Sequence, residues 1–454
     1  MKQKSFTHAL VAASAVAAAL YGTSAHAQSS DALLNKLVDK GILTTDEAKS
    51  LKAETDQGFA KAFQAKSGMP DWVTSLKFNG DLRGRYESIY FDNDAALDRH
   101  RFRYRLRLGA VATFKDNLEL GVRLTSGEPV SGFTTQTGSP LSGNSTFQDN
   151  GSKKFAYIDL AYGKWTPIRN DEWMLGATLG KMENPFVFSD NVMDRDYTPE
   201  GAALQGSFAF NKDHTLRLNA GIFALDELAG DSNDPYMSGV QIRWDGTWSK
   251  AIKTSLGAGV LSINNAALLT SGNVPDVNRG NTRTLVATGA GTPAASSPLY
   301  HFNPFVGDAS ITYTLDSFPG YAGAFPIRLG GEFLHNPAAP AKNNSCDAGV
   351  TFGKAGRKGQ WELTYRYRYV EADSWYEEMT DDDFGAFYQT SSTRAAAGYS
   401  GGTNTRGHWV KASYSPYDAI VLSMTYYGTE LIALNPGDSN SGVNRFQMDV
   451  MWKF

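Results

Sequence analysis

The chain has 454 residues, 43 Lys and Arg against 47 Asp and Glu, a formal net charge of −4 and 12% aromatic residues. A balance this close to neutral excludes a chain built to bind nucleic acid, and the single Cys346 excludes an intramolecular disulfide framework. No segment beyond the N-terminus approaches the ~20 continuous apolar residues of a membrane-spanning helix. The slightly negative mean hydropathy does not exclude a membrane barrel, in which only every second strand residue must be apolar.

The first element is an export signal. Lys2 and Lys4 precede the apolar run from Ala9 to Leu20, and Ala25-His26-Ala27 is a cleavage site. Residues 1–27 are therefore expected to be removed, leaving Gln28 first. Residues 28–70 read as a helical periplasmic segment. Gly41 ends one helix there, and Thr44 with Glu47 is a capping box that opens a second. Leu33, Leu34, Leu37 and Val38 share one apolar face; Ala48 and Leu51 start another. So small a pair either packs on something, self-associates as a short coiled coil, or stays a loose extension.

From 71 to 454 the period is two. In the first strand Leu76, Phe78, Leu82, Tyr86 and Tyr90 share one face with Gly80 and Gly84. In the second, Phe102, Tyr104, Leu106 and Leu108 alternate with Arg101, Arg103, Arg105 and Arg107, which no helix tolerates. Further strands are expected at 117–126, 155–165, 173–182, 201–210, 214–224, 236–248, 252–263, 304–315, 326–335, 347–354, 360–371, 407–415, 419–428 and 443–454. That makes an all-β fold, a transmembrane antiparallel barrel of sixteen strands. Cys346 falls just outside these spans and reads as a loop residue without a special role.

The connections alternate. Lys115-Asp116-Asn117, Asn211-Lys212-Asp213, Ser249-Lys250 and Pro416-Tyr417-Asp418 are short. The links at 127–154, 183–200, 225–235, 264–303, 372–406 and 429–442 are long. Short periplasmic turns and long extracellular loops produce this asymmetry; a soluble sandwich does not. Phe446, Met448, Val450, Trp452 and Phe454 put a terminal aromatic on an amphipathic last strand, the form of a barrel-assembly signal. An ordinary last strand is the plainer alternative.

The apolar face must meet lipid, because a charge there costs ~2–4 kcal/mol at the midplane. The polar face then lines the interior. It carries Arg83, Arg85, Arg101, Arg103, Arg105, Arg107, Arg123, Arg366 and Arg368, with Arg217, Arg243, Arg328 and Arg445. Inward acids are fewer: Asp81, Glu87, Glu119, Asp159, Asp245, Asp308, Glu332, Glu362 and Asp449. Acids concentrate in two loops instead. The third loop carries Glu183, Asp190, Asp194, Asp196 and Glu200, and is expected to fold inward opposite the Arg rows, narrowing the pore across a strong transverse field. The seventh carries Glu371, Asp373, Glu377, Glu378 and Asp381 to Asp383, read as solvated surface acids, with a metal or sugar site at Asp381 to Asp383 as the sharper alternative. The Arg ladder is expected to leave part of its charge facing water, after pairing with Asp81, Glu87 and Glu119.

Several segments taken together, LLNKLVDKGILTTDEAKSL, GDLRGRYE, RHRFRYRLRLG, GKMENPF with DRDYTPEG, WELTYRYRYVEAD, DDDFG, GGTNTRGH and the terminal Phe, resemble the proteobacterial "putative porin" family over nearly the whole mature chain. One departure is that Ala386 to Ser400 intervenes between DDDFG and GGTN. The resemblance implies a passive diffusion channel of general-porin type, often trimeric, constricted by the third loop, without catalytic residues or cofactors.

The functional expectation is a water-filled outer-membrane channel for small hydrophilic solutes and ions, with an anion bias as a refinement. Outer-membrane lipids, the barrel-assembly machinery and two further copies of the chain are its expected partners. The alternative is a plugged or enzymatic barrel, a lipase or protease. An enzyme would need His with Ser or Asp at one rim, and His100, His214, His301, His335 and His408 show no paired motif.

Overall fold

A ribbon that alternates apolar and polar residues over ten or more positions has two unlike faces. Such a sheet either stacks on another or closes on itself. The computed structural model describes residues 36–38, 40, 43–44, 47–53, 69–130, 137–275, 279–286, 295–389, 398–434 and 437–454. The expected signal segment, Leu33, Leu34 and Gly41 lie outside the described residues.

Among the described residues sixteen long strands form one antiparallel sheet. They are β1 (Val73–Phe91), β2 (Arg99–Phe114), β3 (Leu118–Gly127), β4 (Phe155–Arg169), β5 (Trp173–Lys181), β6 (Glu200–Asn211), β7 (His214–Ala224) and β8 (Tyr236–Thr247). They continue with β9 (Ile252–Asn264), β10 (Phe305–Leu315), β11 (Phe325–His335), β12 (Asn344–Gly353), β13 (Gln360–Val370), β14 (Thr405–Tyr417), β15 (Ile420–Leu431) and β16 (Val443–Lys453). Every strand pairs with its chain neighbours, and β16 pairs with β1 from Lys453↔Asp81 to Val443↔Phe91. The sheet is thus a closed barrel with no free edge.

All sixteen expected strands are present, with shifted ends. β4 runs to Arg169 across a bulge between Trp165 and Ile168, and β12 starts at Asn344. Cys346 is therefore a strand residue rather than a loop residue. It pairs with Phe333 and Tyr369 on the outer face, where it is exposed. Glu200 likewise belongs to strand β6 rather than to the third loop.

The outward side chains are large and apolar: Leu179 is 69% exposed, Ile158 64% and Leu204 54%. A contiguous apolar belt of this kind is stable in lipid and not in water. The short turns fit their residues. Asp116 (φ 62°) and Asn117 (φ 59°) take the left-handed conformation that tight hairpins need. The Asn211 carboxamide oxygen accepts from the N–H groups of Asp213 (2.8 Å) and His214 (3.0 Å).

In the N-terminal unit, residues 47–53 are helical. Thr44 N–H donates to Glu47 Oε2 (2.8 Å), and Glu47 N–H donates to Thr44 Oγ1 (3.2 Å), a reciprocal capping box. The Thr44 backbone N–H, then its hydroxyl, hold the Glu47 carboxyl below its ordinary pKa.

Three long loops pack inside the barrel. Phe186, Val192 and Met193 of the third loop (182–199), Leu269 and Phe302 of the fifth (265–304), and Trp375, Tyr376 and Met379 of the seventh (371–404) form one buried apolar cluster. Its wall side is Phe223, Met237, Ile263, Val306 and Leu334, inward residues of β7 to β11. Apolar side chains on the inner face of a barrel have no lipid to meet, so loops cover them.

Candidate functional site

The ladder of β2 faces inward, and nearly every member is met by a carboxylate. Arg101 pairs with Glu87, and Arg103 lies 4.0 Å from the same carboxylate. Arg105 is 3.0 Å from both Asp81 and Asp196; Arg107 is 2.8 Å from Asp196 and 3.6 Å from Asp81. Arg85 is 2.7 Å from Asp449 and 3.1 Å from Asp383. Arg123 is 2.5 Å from Asp159 and also pairs with Glu183. Arg83 donates to Asn144 Oδ1 (2.7 Å). The expected partner Glu119 instead accepts from the Tyr162 hydroxyl at 2.8 Å. The sequence reading left ladder charge facing water; the pairing leaves less of it than that, because acids come from loops remote in sequence.

The acids of the third loop divide. Asp196 bridges Arg105 and Arg107, and those two arginines outweigh the cost of its burial and hold its carboxyl below the ordinary range. Asp190 lies 2.8 Å from Arg195 and 3.6 Å from Arg368 on β13. Glu200, at the start of β6, pairs with Lys181 of β5 at 2.9 Å. Asp194 faces carboxylates rather than arginines: it, Asp381 and Asp382 present oxygens within 4.8 Å of one another. Burial, then Asp382, raises the Asp194 carboxyl well above its ordinary pKa. Burial, then Asp383, pushes Asp382 up to about 7. Burial opposes the charge of Asp383 too, but Arg445 and Arg85 outweigh it and hold that group far below the ordinary range.

The reading of the seventh loop as solvated is overturned. Asp373 and Glu377 are fully buried, and Asp381 is 8% exposed. Asp381 pairs with Arg368 (2.5 Å), Asp383 with Arg445 (2.6 Å), and Glu377 with Arg283 of the fifth loop (2.5 Å). Arg366 and Arg368 share Asp347. Buried cations on an inner wall need counter-charges, and this loop brings them. The one sequence signal for it was the surplus of inward arginines over inward acids.

Backbone contacts seal the two acidic loops together. Asp194 N–H donates to Met379 C=O (2.7 Å) and Asp381 N–H to Asp190 C=O (2.9 Å). The segment intervening after DDDFG adds a hairpin, Gly385–Tyr388 with Gly398–Gly401. Its Tyr399 hydroxyl donates to Asp383 C=O (2.5 Å) and accepts from Arg445 (2.8 Å).

Open space remains beside these loops. A cavity of about 730 Å³ is lined by Lys181, Glu200 and Tyr157, together with Arg105, Arg107 and Asp196. A second, of about 290 Å³, is lined by the same Arg105, Arg107 and Asp196 with Arg83, Arg85 and Lys411. The Asp196 cluster is their common wall. A third cavity, of about 580 Å³, lies against β10 to β14.

On the last strand Phe446, Met448 and Trp452 point outward and are exposed, with Val450 beside Gly84 on the same face. Phe454 exchanges backbone hydrogen bonds with Gly80, 3.0 and 3.1 Å, at the closing seam.

No curated protein matches the sequence. The fold is similar to that of OprB from Pseudomonas putida in its high-pH structure: TM-score 0.51 and 10% identity, covering 88% of this chain and 97% of that one. A mutant of the Rhodopseudomonas blastica porin aligns with a TM-score of 0.40 at 10% identity, over 84% of this chain and 100% of that one. A family model described as "Putative porin" matches residues 92–272 and 335–454. With that match on a closed barrel of sixteen strands, the chain belongs to the "putative porin" family and is a channel-forming porin of the bacterial outer membrane.

Proposed function

We propose that this porin passes small hydrophilic solutes and ions by passive diffusion through a charged constriction between the Arg-rich wall of β1 to β3 and the third loop. The observation that carries this reading is the position of Asp196, held between Arg105 and Arg107 on the wall common to two cavities. Opposed charges in a narrow gap align polar solutes and reject apolar ones. We assign the channel a homotrimeric assembly, and the terminal Phe454 a role in recognition by the barrel-assembly machinery. Residues 28–70 are assigned to the periplasmic side. Four of the five histidines are engaged elsewhere: His100 with Tyr86, His408 with Tyr365, His335 with Asn344, and His214 between Trp244 and Trp248.

A plugged barrel is the second reading, favoured by the apolar cluster of the three inward loops. Conductance of the purified protein in planar bilayers under a salt gradient separates the two. The channel reading expects ohmic steps; their absence overturns it in favour of the plug. Asp196→Asn leaves Arg105 and Arg107 with Asp81 as their remaining carboxylate, so the reversal potential is expected to move toward anions. A cation-selective wild type overturns the anion bias.

A further inference from the structure

The cations of β2 are largely neutralised, but two on the opposite wall are not. Strand register puts Arg328 (β11), Thr351 (β12), Thr364 (β13) and Lys411 (β14) side by side in one row of the inner face. Thr312 (β10) and Thr425 (β15) extend the row at either end. The row from Thr312 to Lys411 lines the cavity of about 580 Å³. No acid and no apolar residue interrupts it. Arg328 donates to the Ser310 hydroxyl at 3.3 Å. Among the described residues neither Arg328 nor Lys411 has a carboxylate within ion-pair distance, whereas Arg85, Arg105, Arg107 and Arg123 each have two.

The carboxylates of this cavity are mostly engaged. Asp308 pairs with Arg243 (2.8 Å) and Asp190 with Arg195 (2.8 Å). Glu332 accepts from the Ser189 hydroxyl (2.6 Å) and N–H (2.9 Å). Glu362, one row nearer the short-turn end of β13, bounds the row on that side.

We infer that Arg328 and Lys411, with the Thr351–Thr364 hydroxyl pair between them, form a binding subsite for a small oxyanion, the carboxylate or phosphate of a permeating solute. The inference rests on the channel reading. Adjacent strands lie ~4.8 Å apart, so the two cations stand three spacings, about 14 Å, apart along the wall. Two long side chains can close that span on a small anion. Arg offers a planar two-donor fork that matches carboxylate and phosphate, and Lys a compact charge. The Thr364 hydroxyl donates to that of Thr351 at 3.1 Å, which leaves the Thr351 proton to donate to a bound oxygen.

The test is the full-length protein in planar bilayers in potassium chloride, titrated with inorganic phosphate or with acetate. Concentration-dependent reduction of the chloride current is expected. Block by phosphate alone supports a phosphate subsite, and block by both supports a general oxyanion subsite. Arg328→Gln with Lys411→Gln should raise the half-blocking concentration about tenfold, the loss expected for charged hydrogen bonds. Lys411→Arg with native Arg328 should retain block. Heat-shifted mobility on gels verifies that each variant is a folded barrel. A conducting wild type insensitive to both anions, or a conducting double variant blocked as before, overturns the subsite and leaves the channel reading standing. Absence of conductance in the wild type overturns the channel reading, and the subsite with it.

Discussion

The indole N–H of Trp375 donates to the carbonyl of Val192 at 2.8 Å, tying the seventh loop to the third inside the barrel. Trp375 is fully buried, and Phe302 of the fifth loop meets its ring edge-on at 6.2 Å. One side chain therefore joins all three inward loops.

Trp375→Ala should unfasten this seam of loops while the barrel persists, because the strand ladder does not pass through it. Truncating a buried Trp costs about 3–5 kcal/mol. Single-channel currents are expected to become larger and noisier, with gel mobility of the folded barrel unchanged. Currents identical to the wild type would show that the seam does not limit flow.

The seam also has a pH dependence with a definite sign. Asp194 and Asp382 are held above their ordinary range, Asp382 to about 7. From about pH 4, where free carboxyls titrate, to about 7, the folded loops bind more protons than unfolded ones. Their contribution to stability therefore falls as pH rises through this window. Asp196 and Asp383 are held low and act the other way, so their stabilisation is lost on acidification below pH 4. Amide exchange in 190–196 and 379–383, corrected for intrinsic rates, should accelerate between pH 5 and 8. Asp382→Asn should flatten that rise; an unchanged slope would place the proton elsewhere.

At the closing seam Gly80 has no room for a side chain. A Cβ there would meet the Arg107 carbonyl oxygen and the Phe454 ring, whereas a Cβ at Gly84 would meet nothing within 4 Å. Gly80→Ala should cost about 1–3 kcal/mol, as overpacking does, and lower the temperature at which the folded band is lost. Gly84→Ala should leave it unchanged. Equal behaviour of the two would contradict the packing of Phe454 on β1.

The strands and their faces were legible because they are local properties. Whether Phe102 or Arg103 faces lipid depends on a period of two within one strand, and sixteen repeats of that period with alternating short and long links leave few folds open. Thr44 and Glu47 are three residues apart, and their reciprocal bonds could be read the same way. The partners of Arg368 could not. Its carboxylates, Asp347, Asp381 and Asp190, come from a neighbouring strand and two separate loops. Nothing in DDDFG distinguishes an acidic loop in water from one folded into the lumen; that depends on Trp375 finding Val192 and on uncovered apolar residues of the inner wall, such as Phe223 and Met237. Alternation along the strands told that inward arginines exceed inward acids. Only the tertiary structure decided which inward cations meet a carboxylate: Arg105 and Arg107 meet Asp196 of an inward loop, while strand register leaves Arg328 and Lys411 in one row with two threonines between them.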